Sequence, residues 1–405
     1  MLGPYSTILR HPGAARFAAT GVLARFDLAM SSLGVILLVV GQGGSYTLAT
    51  VLTGANALAT AVFAPLLSRQ TDRRGQHLML LAQALVYLPA VLGLVASVLA
   101  EAPVELQVSL AVLAGASNPL VSSMVRARWS AIYRGSPTLR TAFAMESMID
   151  AAVIAVGAPL ATFLAVWLVP AAPLLVASAA GAVAAVVLAL QRRTEPPVAP
   201  RTGGRAPGVS LVPPGVPAVL AVLVFVGVYL GAFDVATIAV ALESGRTQLG
   251  GWVLAAYALG STIGGALIGR ATSGSMLRQL YLVLGLLSAA VWPMLFAHSP
   301  APLLALGFTA GLGVAPTIIL AISLAEARAE PQRLTEALAW TGSALVTGTA
   351  AGQLLTGHVV DWLGGNAGYT VTLAGGLGAL LAALLGLRAG SDELSRAHHA
   401  GPEGQ

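Results

Sequence analysis

Twelve apolar segments, each close to the length that crosses a bilayer as a helix, follow one another along the chain. They run near 17–40, 46–68, 78–99, 106–126, 142–166 and 172–191, then 217–241, 249–269, 277–297, 302–323, 335–358 and 368–388. About 20 apolar residues span the hydrocarbon core of a membrane, so this pattern predicts an all-α membrane protein of twelve transmembrane helices. Composition agrees. Of 405 residues, 57% are hydrophobic and only 9% charged, with mean hydropathy +0.83, whereas soluble domains carry about 25% charged residues. The chain must dissolve in lipid. The first apolar run is too long for a signal peptide's apolar region and carries Arg25 and Asp27, so it reads as the first span.

The charges that remain are ordered. Residues 192–215 hold Arg192, Arg193, Arg201 and Arg205 with six prolines and read as an extended linker. The expected organisation is an N-terminal six-helix half over 1–191, a cytoplasmic linker over 192–215, a C-terminal six-helix half over 216–390 and a cytoplasmic tail over 391–405. Lysine is absent, and 19 of the 21 basic residues fall in the alternate gaps that are cytoplasmic if the N-terminus is. By the positive-inside rule both termini lie in the cytoplasm of a cell whose inner (plasma) membrane holds the chain. In this setting a basic pI reports orientation, and no nucleic-acid partner is expected. The absence of cysteine excludes disulfides and thiolate chemistry.

The two halves repeat. Leu-Ala-Arg-Phe-Asp at 23–27 and Leu-Gly-Ala-Phe-Asp at 230–234 each place a carboxylate inside an apolar span. Ala114-Gly115 with Pro119 matches Ala310-Gly311 with Pro316, and Ala142 through Gly157 matches Ala337 through Gly352. Parallel six-helix repeats are one architecture of secondary transporters.

Five ionisable residues lie within spans: Arg25, Asp27, Glu146, Asp150 and Asp234. Ionisable groups in a membrane are costly and usually functional. Glu146 and Asp150, four apart, share one helix face, whereas Arg25 and Asp27, two apart, point in roughly opposite directions and cannot simply pair. The four acids are the candidate proton-coupling groups and Arg25 their candidate charge partner. For Arg25 with Glu146 the other reading is an architectural ion pair. Asp234, close to the outer end at Glu243, sits either in a substrate cavity or in a hydrated vestibule. No catalytic constellation, no metal site and no cofactor are expected, and a phosphate-cradling Gly-Lys-Ser/Thr loop is impossible without lysine. The chain reads as no enzyme.

Ser68-Arg69-Gln70-Thr71-Asp72-Arg73-Arg74-Gly75, between spans two and three, is similar to the G-x-L-x-D-R-x-G-R-R loop of the major facilitator superfamily. Asp72, Arg73 and Gly75 carry the match, while Ser68 replaces the leading glycine and Gln76-His77 replace two basic residues. Val125-Arg126-Ala127-Arg128-Trp129 and Ala144-Met145-Glu146-Ser147 resemble actinobacterial drug-efflux-type members, which are proton antiporters. Ala158 interrupts the Gly-Pro pair of the antiporter signature, and the family's arginine before Gly115 is missing. The resemblance implies a cytoplasmic gate loop at Asp72, Arg73, Arg74 and Gly75. It places span one beside span five, so that Arg25 reaches Glu146 or Asp150 and leaves Asp27 free to face a central cavity. It also puts Asn56, Asn118, Met145, Tyr229, Phe233, Tyr257, Trp340 and Gln353 on cavity-lining helices, each with packing as the alternative.

The resulting expectation is a secondary active transporter, working as a monomer in the lipid bilayer. It would export a small lipophilic drug-like molecule or secondary metabolite in exchange for protons, by alternating access. The alternative is proton-coupled transport of a sugar or other polar metabolite. Import as against export, and sodium in place of protons, stay open from sequence.

Overall fold

The computed structural model describes residues 8–133, 136, 138–197, 216–268, 275–297, 300–328 and 334–399. All regular structure among them is helical. The first seven helices are α1 (Ala14–Gly41), α2 (Tyr46–Arg74), α3 (Gln76–Leu99), α4 (Val104–Ser117), α5 (Val121–Ile132), α6 (Thr138–Trp167) and α7 (Ala172–Leu190). After the linker come α8 (Pro217–Glu243), α9 (Thr247–Ile268), α10 (Met276–Val291), α11 (Pro300–Gly311), α12 (Val314–Arg328), α13 (Leu334–Leu363) and α14 (Gly365–His399). The chain divides into two compact units, residues 1–205 with 247–255, and 206–246 with 256–405.

Spans four and ten are each broken into two helices. The first break falls at Asn118-Pro119-Leu120, between α4 and α5, where Pro119 has no N–H to continue the ladder. The second falls at Leu312-Gly313, between α11 and α12. Span four also runs on to Ile132, which draws Arg126 and Arg128 into the helix rather than leaving them in a loop. Span nine ends in a 3₁₀ turn, Trp292–Phe296, with Pro293 as its second residue. At the C-terminus α14 continues to His399, through most of the expected tail.

Eleven of the described segments are long and apolar enough to cross a membrane. The twelfth, α13, is long enough at 30 residues, but glycine, threonine and Gln353 dilute its hydropathy. The glycines are needed for packing. A Cβ at Gly348 of α13 would lie 2.0 Å from the Val224 carbonyl oxygen of α8, and one at Gly231 of α8 would lie 2.1 Å from that of Thr349. Small residues on both helices let their backbones meet, the arrangement that holds helices together where lipid provides no hydrophobic drive.

The repeat is visible as one contact made twice. A Cβ at Gly115 would lie 2.1 Å from the carbonyl oxygen of Asn56, and one at Gly311 would lie 2.0 Å from that of Tyr257. Thr60 adds a 3.0 Å hydrogen bond to the Gly115 carbonyl. Gly311→Ala is therefore expected to destabilise the second unit by about 1–3 kcal/mol through overpacking. Gly285→Ala, where a Cβ meets nothing within 4 Å, is expected to be neutral or slightly stabilising. Thermal unfolding of the purified variants in detergent checks both; equal melting temperatures would contradict the contact.

Candidate functional site

Charge in the first unit is tightly compensated. Arg25 on α1 donates from Nη2 to Glu146 Oε2 at 2.5 Å and from Nε to Asp150 Oδ1, so one guanidinium spans both carboxylates of the α6 face. Trp129 Nε1 donates to the other Glu146 oxygen at 2.7 Å, and Arg126 Nη2 donates to Asp150 Oδ2 at 2.6 Å. Arg25 and Glu146 are 1% and 0% exposed. Two arginines and two acids thus neutralise each other, each carboxylate oxygen holding a donor. Met145, 9% exposed, lies beside this network in a core with Phe17, Trp129 and Leu188.

Asp27 does not stand free, contrary to expectation. It is 6% exposed, with Ser31 Oγ and Tyr87 Oη each donating to Oδ1 at 2.5 Å and Asn118 Nδ2 donating to Oδ2 at 3.2 Å. The break after α4 frees Asn118 from helical constraint and puts it within reach. On another side the α7 backbone closes in at Gly181, where an added Cβ would lie 3.2 Å from that of Asp27. Three neutral donors on one carboxylate rigidify the crossing of α1 with α3 and the α4–α5 break. Asn56, partly exposed, donates to the Ala111 carbonyl at 3.2 Å.

Arg128 is the largest departure from the sequence reading, which counted it as a topology marker. It is fully buried. Its guanidinium donates to Gln76 Oε1, to the Leu188 and Gln191 carbonyls and to Thr194 Oγ1, all at 2.8–2.9 Å. These carbonyls belong to the C-terminal end of α7, whose unpaired oxygens and negative dipole end suit a cation.

The same corner pins the start of the linker. Glu195 accepts the His77 backbone N–H at 3.1 Å and faces His77 Nδ1 at 3.0 Å. Gly75 makes this possible: its φ is +89° and a Cβ there would lie 2.9 Å from Glu195 Oε1. Of the other gate-loop residues, Arg73 and Arg74 are exposed, and the Asp72 side chain lies outside the described residues. Burial alone raises the Glu195 pKa, but the hydrogen bonds from the His77 ring and backbone and from the Gln76 backbone outweigh it and hold it below the ordinary 4.5. A depressed carboxylate contributes stability that is present above its unfolded value and lost as pH falls through the folded one. The protection of amides across 192–195, relative to their intrinsic exchange rate at each pH, is thus expected to fall as pH drops below about 4.5, the ordinary value. In Glu195→Gln the protection should be low already at neutral pH, and equal protection in both proteins would contradict the strap.

The second unit holds a different constellation. On α8, Tyr229, Phe233 and Thr237 follow at four-residue intervals along one face. Phe233 stacks on Tyr257 of α9 with ring centroids 4.1 Å apart and lies 6.4 Å from Tyr229 and 6.1 Å from Tyr369 of α14. The Tyr369 hydroxyl is 3.0 Å from Thr237 Oγ1. The hydroxyls of Tyr229 and Tyr257 are buried without a partner among the described residues. Asp234 follows Phe233 and lies within electrostatic range of Tyr257. It is partly exposed, and among the described residues no cation or hydrogen-bond donor pairs with it. Gln353 is buried on α13 beside Gly231, and Trp340 is partly exposed. At the end of α8, Glu243 Oε1 accepts the Gly365 N–H at 2.7 Å, at a cavity of about 340 Å³ lined also by Ser244 and Asn366.

The two matching aspartates therefore differ in company. Ser31, one turn after Asp27, is replaced by Ile238 one turn after Asp234. Asn118, three residues after Gly115, is replaced by Val314 three residues after Gly311. The first carboxylate is saturated with donors; the second has lost the equivalents of two of them.

No protein-family model and no curated protein sequence matches the chain. Solved structures do. The POT family transporter PepTSo superposes with a TM-score of 0.66 at 12% identity, covering 95% of this chain and 98% of that one. The nucleoside transporter NupG gives 0.65 at 14% identity, over 92% and 97%. A bacterial homologue of the iron transporter ferroportin, in an inward-facing state, gives 0.66 at 15% identity, over 91% and 98%. At these identities the likeness is one of fold, and it extends over nearly the whole of each chain. This protein is an all-α, multi-pass membrane protein with the major facilitator fold.

Proposed function

We propose that the chain is a proton-coupled secondary transporter that exports a small lipophilic molecule, drug-like or a secondary metabolite, by alternating access, with both termini cytoplasmic and the inner (plasma) membrane as its site. The observation that carries this reading is that, of the four candidate acids Asp27, Glu146, Asp150 and Asp234, Asp234 alone has no partner among the described residues. Glu146 and Asp150 are neutralised by Arg25 and Arg126, and Asp27 is held by three donors. Asp234, next in sequence to Phe233 of the aromatic cluster, has neither among the described residues. Asp234 is an ionisable group within a span, and no described partner fixes its charge, so it can take a proton in one state and release it in another. The fold supports transport, and the apolar, aromatic surroundings of Asp234 favour a lipophilic substrate over a sugar, which would need a set of buried hydrogen-bonding groups. In this reading Arg25, Glu146, Asp150 and Asp27 hold the first unit together and Asp234 does the coupling.

The test is reconstitution in liposomes with an imposed pH gradient and a panel of antibiotics, dyes and sugars. Gradient-driven movement of a lipophilic compound, above that in protein-free liposomes, is the expected result. Movement of sugars alone, or of nothing under a gradient of either sign, would overturn it.

A further inference from the structure

Arginines collect at one corner of the first unit, and the fold fixes the backbone that carries them. A Cβ at Gly13, just before α1, would lie 2.9 Å from Thr194 Cγ2, and one at Gly75, just before α3, would lie 2.9 Å from Glu195 Oε1. Gln191 Nε2 also donates to Thr20 Oγ1 of α1 at 3.1 Å. The turn at 192–195 therefore rests on the start of α1 and on the start of α3. Segments 8–17, 72–77 and 191–197 meet here and carry six arginines against two acids, Asp72 and Glu195. Glu195 is already engaged by His77. Arg10, Arg16, Arg73, Arg74, Arg192 and Arg193 are all exposed, and none forms an ion pair among the described residues. Guanidinium groups stay charged, so the corner is a positive surface in excess of its own acids.

We infer that this corner, centred on Arg192 and Arg193, binds the headgroup of an anionic phospholipid, whose acyl chains lie along α3 and α7. The headgroup chemistry follows from arginine, whose planar fork takes phosphate oxygens in pairs, and basic clusters at the ends of membrane helices attract anionic lipids. The lipid, as against a free phosphate, follows from the apolar surface that starts beside the arginines. On α3, Leu78, Leu81 and Leu85 are exposed in one row at helical spacing that begins directly after His77. On α7, Val183, Val187 and Leu190 are exposed in a second row that ends two residues before Arg192. The two helices pack against each other. Exposed aliphatic rows on spans of this kind are covered by hydrocarbon in a membrane. One molecule can thus set its phosphate on the arginines and its chains on the helices next to them. The strap gains a role from this: by holding Thr194 and Glu195 in place, it holds Arg192 and Arg193 beside the arginines of α1 and of the loop before α3. The inference is independent of the transport reading. In the orientation proposed above, the lipid belongs to the cytoplasmic leaflet.

The experiment is native mass spectrometry of the purified, delipidated full-length protein in detergent. It is titrated with dioleoylphosphatidylglycerol and, separately, with dioleoylphosphatidylcholine, which has the same chains and no net charge. Saturable retention of the anionic lipid is expected, about tenfold or more tighter than that of the zwitterionic one. Arg192→Gln with Arg193→Gln should weaken it about tenfold, since each basic residue near the headgroup adds to the attraction. Arg246→Gln, at an exposed arginine between α8 and α9, should leave it unchanged. Leu78→Asn with Leu190→Asn should weaken it while leaving every arginine in place. Glycerol 3-phosphate, a phosphate headgroup without chains, should not displace the lipid even in large molar excess. Melting temperatures of the variants establish that each is folded. Equal retention of the two lipids, unchanged retention in the double arginine variant, or an equal loss in Arg246→Gln would overturn the site. Displacement by glycerol 3-phosphate would overturn the lipid and leave a phosphate site.

Discussion

Arg25→Met is expected to destabilise the protein by about 3–5 kcal/mol, the cost of leaving a buried charge uncompensated. Glu146 is 0% exposed, and without Arg25 it keeps one neutral donor, Trp129 Nε1. Asp150 fares better, since it is 24% exposed and retains Arg126. The loss should appear as a large drop in melting temperature and in the yield of monodisperse protein. Neutralising the partners should reverse it. In Arg25→Met with Glu146→Gln and Asp150→Asn, the glutamine oxygen still accepts from Trp129 and no charge is left stranded, and such apolar or neutral replacements of buried ion pairs are often tolerated. Wild-type stability of Arg25→Met alone, or no recovery in the triple variant, would contradict an architectural network. If the triple variant folds and still transports, Glu146 and Asp150 are excluded from proton coupling.

Asp234→Asn is expected to do the opposite: little change in stability and loss of function. No described partner depends on the Asp234 charge, and the residue is partly exposed, so a neutral amide of the same shape breaks no described contact. What disappears is the ability to bind and release a proton. Asp27→Asn makes the informative contrast. There an amide group faces three donors in place of a carboxylate oxygen, so at least one of Tyr87, Ser31 and Asn118 must reorient, and stability is expected to fall by about 1–3 kcal/mol.

Much of this was legible in the sequence, and the illegible part has a common cause. Helical periodicity alone separates Arg25 from Asp27 and puts Glu146 with Asp150, and the structure has Arg25 on both acids. Ser31, one turn beyond Asp27, was also within reach of that reasoning, as was its replacement by Ile238, but matching the two frames for the aspartates alone passed over their neighbours. Tyr87 and Trp129 were not within reach, because each meets its acid across the packing of separate helices, which no local spacing encodes. Arg128 shows the limit of counting charges. The positive-inside rule weighs every arginine equally, whereas this one is fully buried against the carbonyl end of α7. Pro119 announced a break in span four, but not that the break would hand Asn118 to Asp27.

The central claim, that Asp234 couples substrate movement to protons, is tested most directly in proteoliposomes. The measurement is accumulation of a transported lipophilic compound under an imposed pH gradient, by wild type and by Asp234→Asn reconstituted in equal amounts. The account predicts accumulation by wild type and none above protein-free liposomes for Asp234→Asn. Accumulation by Asp234→Asn at the wild-type level, with the wild-type dependence on pH, would contradict it.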